Sequence, residues 1–210
     1  MNIHPVAKGL IGLGISGGIA GGGYALFPSS TKNEITKELI SKHYTILTND
    51  PSNKTHWDSI IASYKALTTP PQNSLKFAEL TGNEDDAVSK LQGICNKLLN
   101  PSSSTTLDTD KKAEKWCVEP ISVSAILEKR GIKQIANSAQ TNWESKIILH
   151  RSEQDTNKKI SNLSIGTTGT INPEHLTDIK NKCRDIGNKK NHEDKYDENL
   201  TKFTSWCANT

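Results

Sequence analysis

The chain opens on an apolar run and then breaks into short amphipathic stretches. Gly9 to Phe27 contains no charged residue, and Pro28-Ser29-Ser30 ends the run. With Pro5-Val6-Ala7 added, the stretch reaches the roughly 20 residues that a helix needs to cross a ~30 Å hydrocarbon core. Further along, apolar residues recur at helical spacing. Asn172-Pro173-Glu174 supplies an N-cap, a first-turn proline and a first-turn acid. Leu176, Ile179, Cys183 and Ile186 follow at i, i+3, i+7 and i+10, and Gly187 closes the helix. Val88, Leu91, Cys95 and Leu98 repeat that spacing, with Asn83 as the expected cap and Glu84-Asp85-Asp86 as the expected first turn. Tyr196, Leu200, Phe203 and Cys207 form one stripe with Trp206 beside it, and a shorter helix is expected from about Asp110 to Val118. Lys146 to His150 is the best strand candidate, although a helix from Asn142 competes with it. The pattern predicts an all-α protein: an N-terminal transmembrane helix followed by two duplicated small helical-bundle modules.

The duplication rests on rare residues. Thr55-His56-Trp57-Asp58-Ser59-Ile60-Ile61 matches Thr141-Asn142-Trp143-Glu144-Ser145-Lys146-Ile147 in Thr, Trp, acid, Ser and Ile at an offset of 86. Val88, Leu91, Cys95 and Leu98 meet Leu176, Ile179, Cys183 and Ile186 at an offset of 88. Ile35 and Leu39 meet Val123 and Leu127 at the same offset, and Trp116-Cys117 meets Trp206-Cys207 at 90. Helical periodicity would account for the aliphatic matches, but not for all four tryptophans and all four cysteines. The implied organisation is a membrane anchor over 1–30, one helical module over 31–119 and a second over 120–210, with Pro120 at the seam. Trp57 and Trp143 are expected in the core.

The anchor has its own pattern. Gly14, Gly18 and Gly22 recur every fourth residue, the small-xxx-small arrangement of close helix contacts in membranes. Tyr24 and Phe27 suit the outer interface. Lys8 precedes the run, whereas Lys32 is balanced by Glu34, so the weak positive-inside signal places the N-terminus inside and the bulk of the chain outside. No Ala-x-Ala site follows the run and no lipobox cysteine is present, which favours an uncleaved signal anchor.

Composition narrows the classes. The chain has 210 residues, 33% apolar and 5% aromatic, with 26 basic and 23 acidic side chains. Residues 1–30 hold one charge and 8 of the 14 glycines. A near-neutral balance does not suggest a polyanion partner, so nucleic acid is not expected. One apolar stretch excludes a multi-pass membrane protein.

Four cysteines allow three pairings, and the duplication singles out Cys95 with Cys117 and Cys183 with Cys207, one bridge per copy. Modules of about 90 residues with a thin apolar core would gain from such staples. Bridges need an oxidising compartment, in agreement with the outward topology.

Chemistry-bearing motifs are sparse. Gly12-Leu13-Gly14-Ile15-Ser16-Gly17 fits G-x-G-x-x-G and Gly14-Ile15-Ser16-Gly17-Gly18 fits G-x-S-x-G, but neither follows a strand. Both are chance matches in a glycine-rich run. Gly166-Thr167-Thr168-Gly169-Thr170 lacks the lysine of a phosphate cradle. His4, His43, His56, His150, His175 and His192 show no metal-ligand spacing, and His192-Glu193-Asp194 is expected to be solvated. No catalytic residue, cofactor or metal ligand is assigned, and no enzymatic activity is expected.

A Lys-Gly-Leu start, a glycine-rich anchor ending in Gly-Tyr-Ala-Leu-Phe, and helical modules bearing Trp57, Trp116-Cys117, Trp143 and Trp206-Cys207 run through a Lys-, Asn-, Ser- and Thr-rich chain. In these features it resembles the large paralogous families of membrane-anchored proteins in haemotropic mycoplasmas, wall-less bacteria that live on red cells. The resemblance implies membrane attachment and surface display with antigenic variation. It carries no ligand and no functional residue. The expectation is therefore a single-pass surface protein for host interaction or antigenic display, facing a host surface or serum protein. Recognition would lie in the loops 100–110, 150–172 and 187–195. The alternative is a membrane-attached helical scaffold whose glycine face drives homo-oligomers.

Overall fold

The computed structural model describes residues 34–68, 72–100 and 107–209. Among them are eight α-helices: α1 (Glu34–Ser41), α2 (Lys54–Ala66), α3 (Ala87–Leu98), α4 (Leu107–Trp116), α5 (Val123–Lys129), α6 (Gln140–Ser152), α7 (Pro173–Gly187) and α8 (Tyr196–Trp206). Two short 3-10 turns and three isolated β-bridges join them, and the described residues contain no strand. The fold is all-α. The expected anchor, with Gly14, Gly18 and Gly22, lies outside the described residues. No described helix is long and apolar enough to cross a membrane.

Local chemistry sets the helix ends. Asn172 accepts from the His175 amide, and His175 Nδ1 accepts in return from the Asn172 amide, a capping box around Pro173. Helix α5 is capped by Ser122, whose hydroxyl accepts from the Ala125 amide at 3.2 Å. Helix α3 starts later than the expected cap at Asn83, because Glu84 turns back on the chain. Its carboxylate accepts from the amides of Thr81 and Gly82, both at 2.9 Å, closing a turn where the helix would have begun. Residues 146–150 are helical, not extended. Trp143, Ile147 and His150 bury one face of α6, which the i, i+4, i+7 spacing of a helix allows and a strand does not. Helix α4 ends at Trp116, and the next residues run extended, Val118 bridging to Ile46.

The helices close over one cluster of buried side chains that runs from Ile35 to Ala208. The described residues belong to one compact unit. The cluster contains Trp57, Trp116, Trp143 and Trp206, with all four cysteines. Trp57 and Trp143 are core residues, 1% and 0% exposed.

Several backbone and indole contacts among the described residues of 34–119 recur in 120–209. Leu47 donates its amide to the Cys117 carbonyl, and Ile135 does the same to Cys207. Glu119 donates to Thr45, and Asn209 to Lys133. The indole of Trp57 donates to the Thr48 carbonyl at 3.0 Å, and that of Trp143 to the Ala136 carbonyl at 3.0 Å. Trp116 and Trp206 reach back to the carbonyls of Leu75 and Lys158. Each indole N–H thus finds an acceptor, which a buried tryptophan needs. Cys95 is bonded to Cys117 and Cys183 to Cys207, with Cα separations of 5.5 Å in both and no cysteine free.

Gly187 marks a close approach between α7 and α8. A Cβ placed there would lie 2.8 Å from Phe203 Cε2 and 3.4 Å from Ser124 Cβ. In an open helix Gly→Ala stabilises by about 1 kcal/mol. Here overpacking opposes that gain by about 1–3 kcal/mol. Gly187→Ala is expected to lower the urea midpoint at unchanged slope; a raised midpoint would mean that the Phe203 ring gives way freely.

Candidate functional site

The richest polar arrangement lies where the two halves meet. A cleft of about 230 Å³ opens between α1, α4 and α8, lined by Glu38, Lys42, Asp110, Glu114, Lys115 and Tyr196 among others. The elements bring these groups together: Glu38 is on α1 with Lys42 four residues on, just past its end, and Asp110 and Glu114 are one turn apart on α4. Lys42 pairs with Glu38 at 2.7 Å and with Glu114 at 3.2 Å. Burial works against the charged Lys42, but the two carboxylates outweigh it and hold its ammonium above the usual lysine range. The Tyr44 hydroxyl donates to Glu114 at 2.6 Å and lies 3.4 Å from the Tyr196 hydroxyl. Burial, reinforced by the neighbouring hydroxyl and carboxylate, pushes Tyr44 up; burial takes Tyr196 to about 12. Asp110 is raised by burial and by the Glu38 charge, and its Oδ1 is buried with no hydrogen-bond partner among the described residues.

A second cross-half contact adjoins the cleft. Asn191, His192 and Glu193 sit on the segment between α7 and α8. Asn191 is 1% exposed; its side-chain amide donates to the Glu114 carbonyl at 3.1 Å and accepts from the Ile121 amide at 2.9 Å. Lys115 is 5% exposed, donates to the Glu193 carbonyl and lies over the Trp116 ring. Burial lowers its pKa, opposed by Asp197, Asp194 and Glu193. The His192 ring lies between the hydroxyls of Ser59 and Ser63 on α2. On the far side, Arg130 donates to the Lys42 carbonyl and stands over the Tyr44 ring at 5.5 Å.

These contacts correct one expectation. His192 is not solvated: it is 4% exposed, and its neighbour Asn191 is buried too. The segment 187–195 therefore offers less free surface than its polarity suggests. The side chains of Asn191 and His192 meet partners in the other half of the chain, and a buried polar group costs little when it is hydrogen-bonded. Of the other recognition loops, residues 101–106 lie outside the described residues. The loop 153–172 is exposed for most of its length and anchored by Arg151, which donates to the carbonyls of Ile165 and Gly169. Ile148 and Leu149 on α6 stand 58% and 56% exposed.

Chemically, the site is a set of polar ties. Ser63 and His192 have the atoms of a nucleophile and a base, but the second ring nitrogen faces Ser59 rather than a carboxylate. No group of three or more His, Cys, Asp or Glu among the described residues has a metal-holding arrangement. Glu114, Lys115, Asn191 and Tyr44 were not singled out by sequence. Tyr196 was, as an apolar-stripe residue, which describes its ring but not its hydroxyl.

No family model matches the chain, and neither a curated protein nor a solved structure is similar to it.

Proposed function

We propose that this is a membrane-anchored surface protein displaying two duplicated, disulfide-stapled helical modules outside the cell, for host interaction or antigenic display. The observation that carries the reading is the cysteine count: all four are paired and none is free. Thiols in a reducing cytosol are kept reduced, whereas an outward-facing module forms and keeps its bridges. The uncharged run from Gly9 to Phe27 supplies the means of attachment. The recurring bridges, indole hydrogen bonds and Cys-carbonyl contacts support descent of the two halves from one module. The resemblance to paralogous proteins of haemotropic mycoplasmas points the same way. In this reading the polar seam holds the modules in one orientation, and the exposed 153–172 loop and the outer face of α6 form the display surface.

Protease shaving of intact cells, followed by mass spectrometry, tests the topology. Peptides from both 34–119 and 120–209 are expected without lysis. Cleavage seen only after lysis would place the modules inside the cell and overturn the reading.

A further inference from the structure

The strongest unassigned device is the histidine at the seam. His192 Nε2 lies 3.4 Å from the Ser59 hydroxyl oxygen, and Nδ1 lies 3.2 Å from that of Ser63. The Ser59 hydroxyl donates its only proton to the His56 carbonyl at 2.8 Å, so towards the ring it can only accept. That assigns the proton of a neutral imidazole to Nε2 and leaves Nδ1 as acceptor from the Ser63 hydroxyl. The neutral ring is then satisfied at both nitrogens. A second proton, on Nδ1, would turn that acceptor into a donor and set a full charge in a site that is 4% exposed.

The surroundings do not welcome that charge. From α2 the ring faces His56, whose Nδ1 is buried without a partner among the described residues. From α4 it faces the buried Lys115; on its own segment, which carries Lys189, Lys190, Glu193, Asp194 and Lys195, the charges that act on it are Lys190 and Glu193. Burial is the largest effect and lowers the His192 pKa to about 4; Glu193 opposes this, and Lys190, Lys115 and His56 add to it.

We propose that His192 is an acid-released latch: its uncharged ring ties the 188–195 segment to α2, and protonation frees that segment while the helices stay folded. One feature limits the opening to the segment. The Cys183–Cys207 bridge closes the chain on either side of it. The ties of Asn191 and Lys115 fasten the same segment and part with it on release. Release would uncover Ser59, Ser63 and His56 on α2, changing the face that the protein shows in an acidified compartment. The latch does not depend on which side of a membrane the modules occupy.

The closed form holds His192 below its ordinary 6.5, so it binds fewer protons than the open form. Closure is fully favoured above about pH 6.5 and is lost as the pH falls towards 4, by up to about tenfold per unit.

Hydrogen exchange of the full-length oxidised protein tests this, corrected for the intrinsic pH dependence of exchange. The amides of Val123, Asn191 and Glu193, which are bonded to Lys189, Ile121 and Lys190, report the segment. Between pH 7 and pH 5 their protection is expected to fall on the order of 20-fold in the native chain. In His192→Gln it should stay nearly flat. In His150→Gln, which removes the other buried histidine, the fall should persist. Protection independent of pH in the native chain, or an equal fall in His192→Gln, would overturn the latch. If His192→Gln does not fold, an NMR titration of the native His192 ring decides: a midpoint well below 6.5 is expected, and one at or above 6.5 would refute the proposal.

Discussion

Replacing Cys183 and Cys207 together by alanine lowers the stability of the folded unit by about 3 kcal/mol. The bridge closes a stretch of 24 residues in sequence, and the Cys95–Cys117 bridge one of 22. In the chain-entropy model, loops of this size restrict the unfolded chain by about 3 kcal/mol each. For a domain of this size each kcal/mol moves the melting temperature by roughly 2–4 °C, so a fall of about 6–12 °C is expected per bridge. Calorimetry of the oxidised native chain against each double variant measures it; an unchanged melting temperature would show that the bridges are incidental. The two need not fail alike. Loss of Cys183–Cys207 also unties the ends of the segment that carries Asn191 and His192, and exchange in that segment should rise before global unfolding. The sulfurs are reached with difficulty, since the four cysteines are at most 2% exposed. Reduction under native conditions should therefore track unfolding.

Trp116→Ala carries the next largest effect. The side chain is 0% exposed, its indole donates to the Leu75 carbonyl at 2.7 Å, and the Tyr64 ring meets it edge-on at 4.8 Å between centroids. Truncating a buried tryptophan costs about 3–5 kcal/mol through lost transfer energy and the cavity left behind. Here the variant also leaves the Leu75 carbonyl without its donor and takes the ring from under the Lys115 ammonium. Because whole domains are stable by only about 5–15 kcal/mol, the loss is a large share of the total. Urea unfolding should show a midpoint lowered by about a fifth or more, with little change in slope. Trp206→Ala is expected to fall in the same range, since its indole likewise donates to a carbonyl, that of Lys158, and its ring meets His150 edge-on. A loss below about 1 kcal/mol at Trp116 would mean that α4 repacks around the gap.

Much of the helical frame was legible. The i, i+3, i+7 spacing of Leu176, Ile179 and Cys183 reports burial because a helix returns to the same face about every 3.6 residues. The structure buries all three. The cysteine partners were legible for another reason. Two copies of one pattern make each bridge intramodular, which selects one of three pairings without any geometry. The start of α3 was not legible, because the Glu84 side chain competes with the helix for the same amides.

The amino-acid sequence by itself determined the local layer: the helical stripes of α3, α7 and α8, Trp57 and Trp143 as core, and the cysteine pairs. Each of these follows from spacing along the chain or from comparison of two stretches of it. Only the tertiary structure decided that both halves share one compact unit and that their seam is polar. His192 lies 133 positions from Ser59, and Asn191 lies 77 from Glu114. A buried polar residue looks like a solvated one in sequence, because its burial depends on a partner and not on a period. Apolar burial repeats with the helix and can be read locally; polar burial is earned by a contact that forms only when distant segments meet.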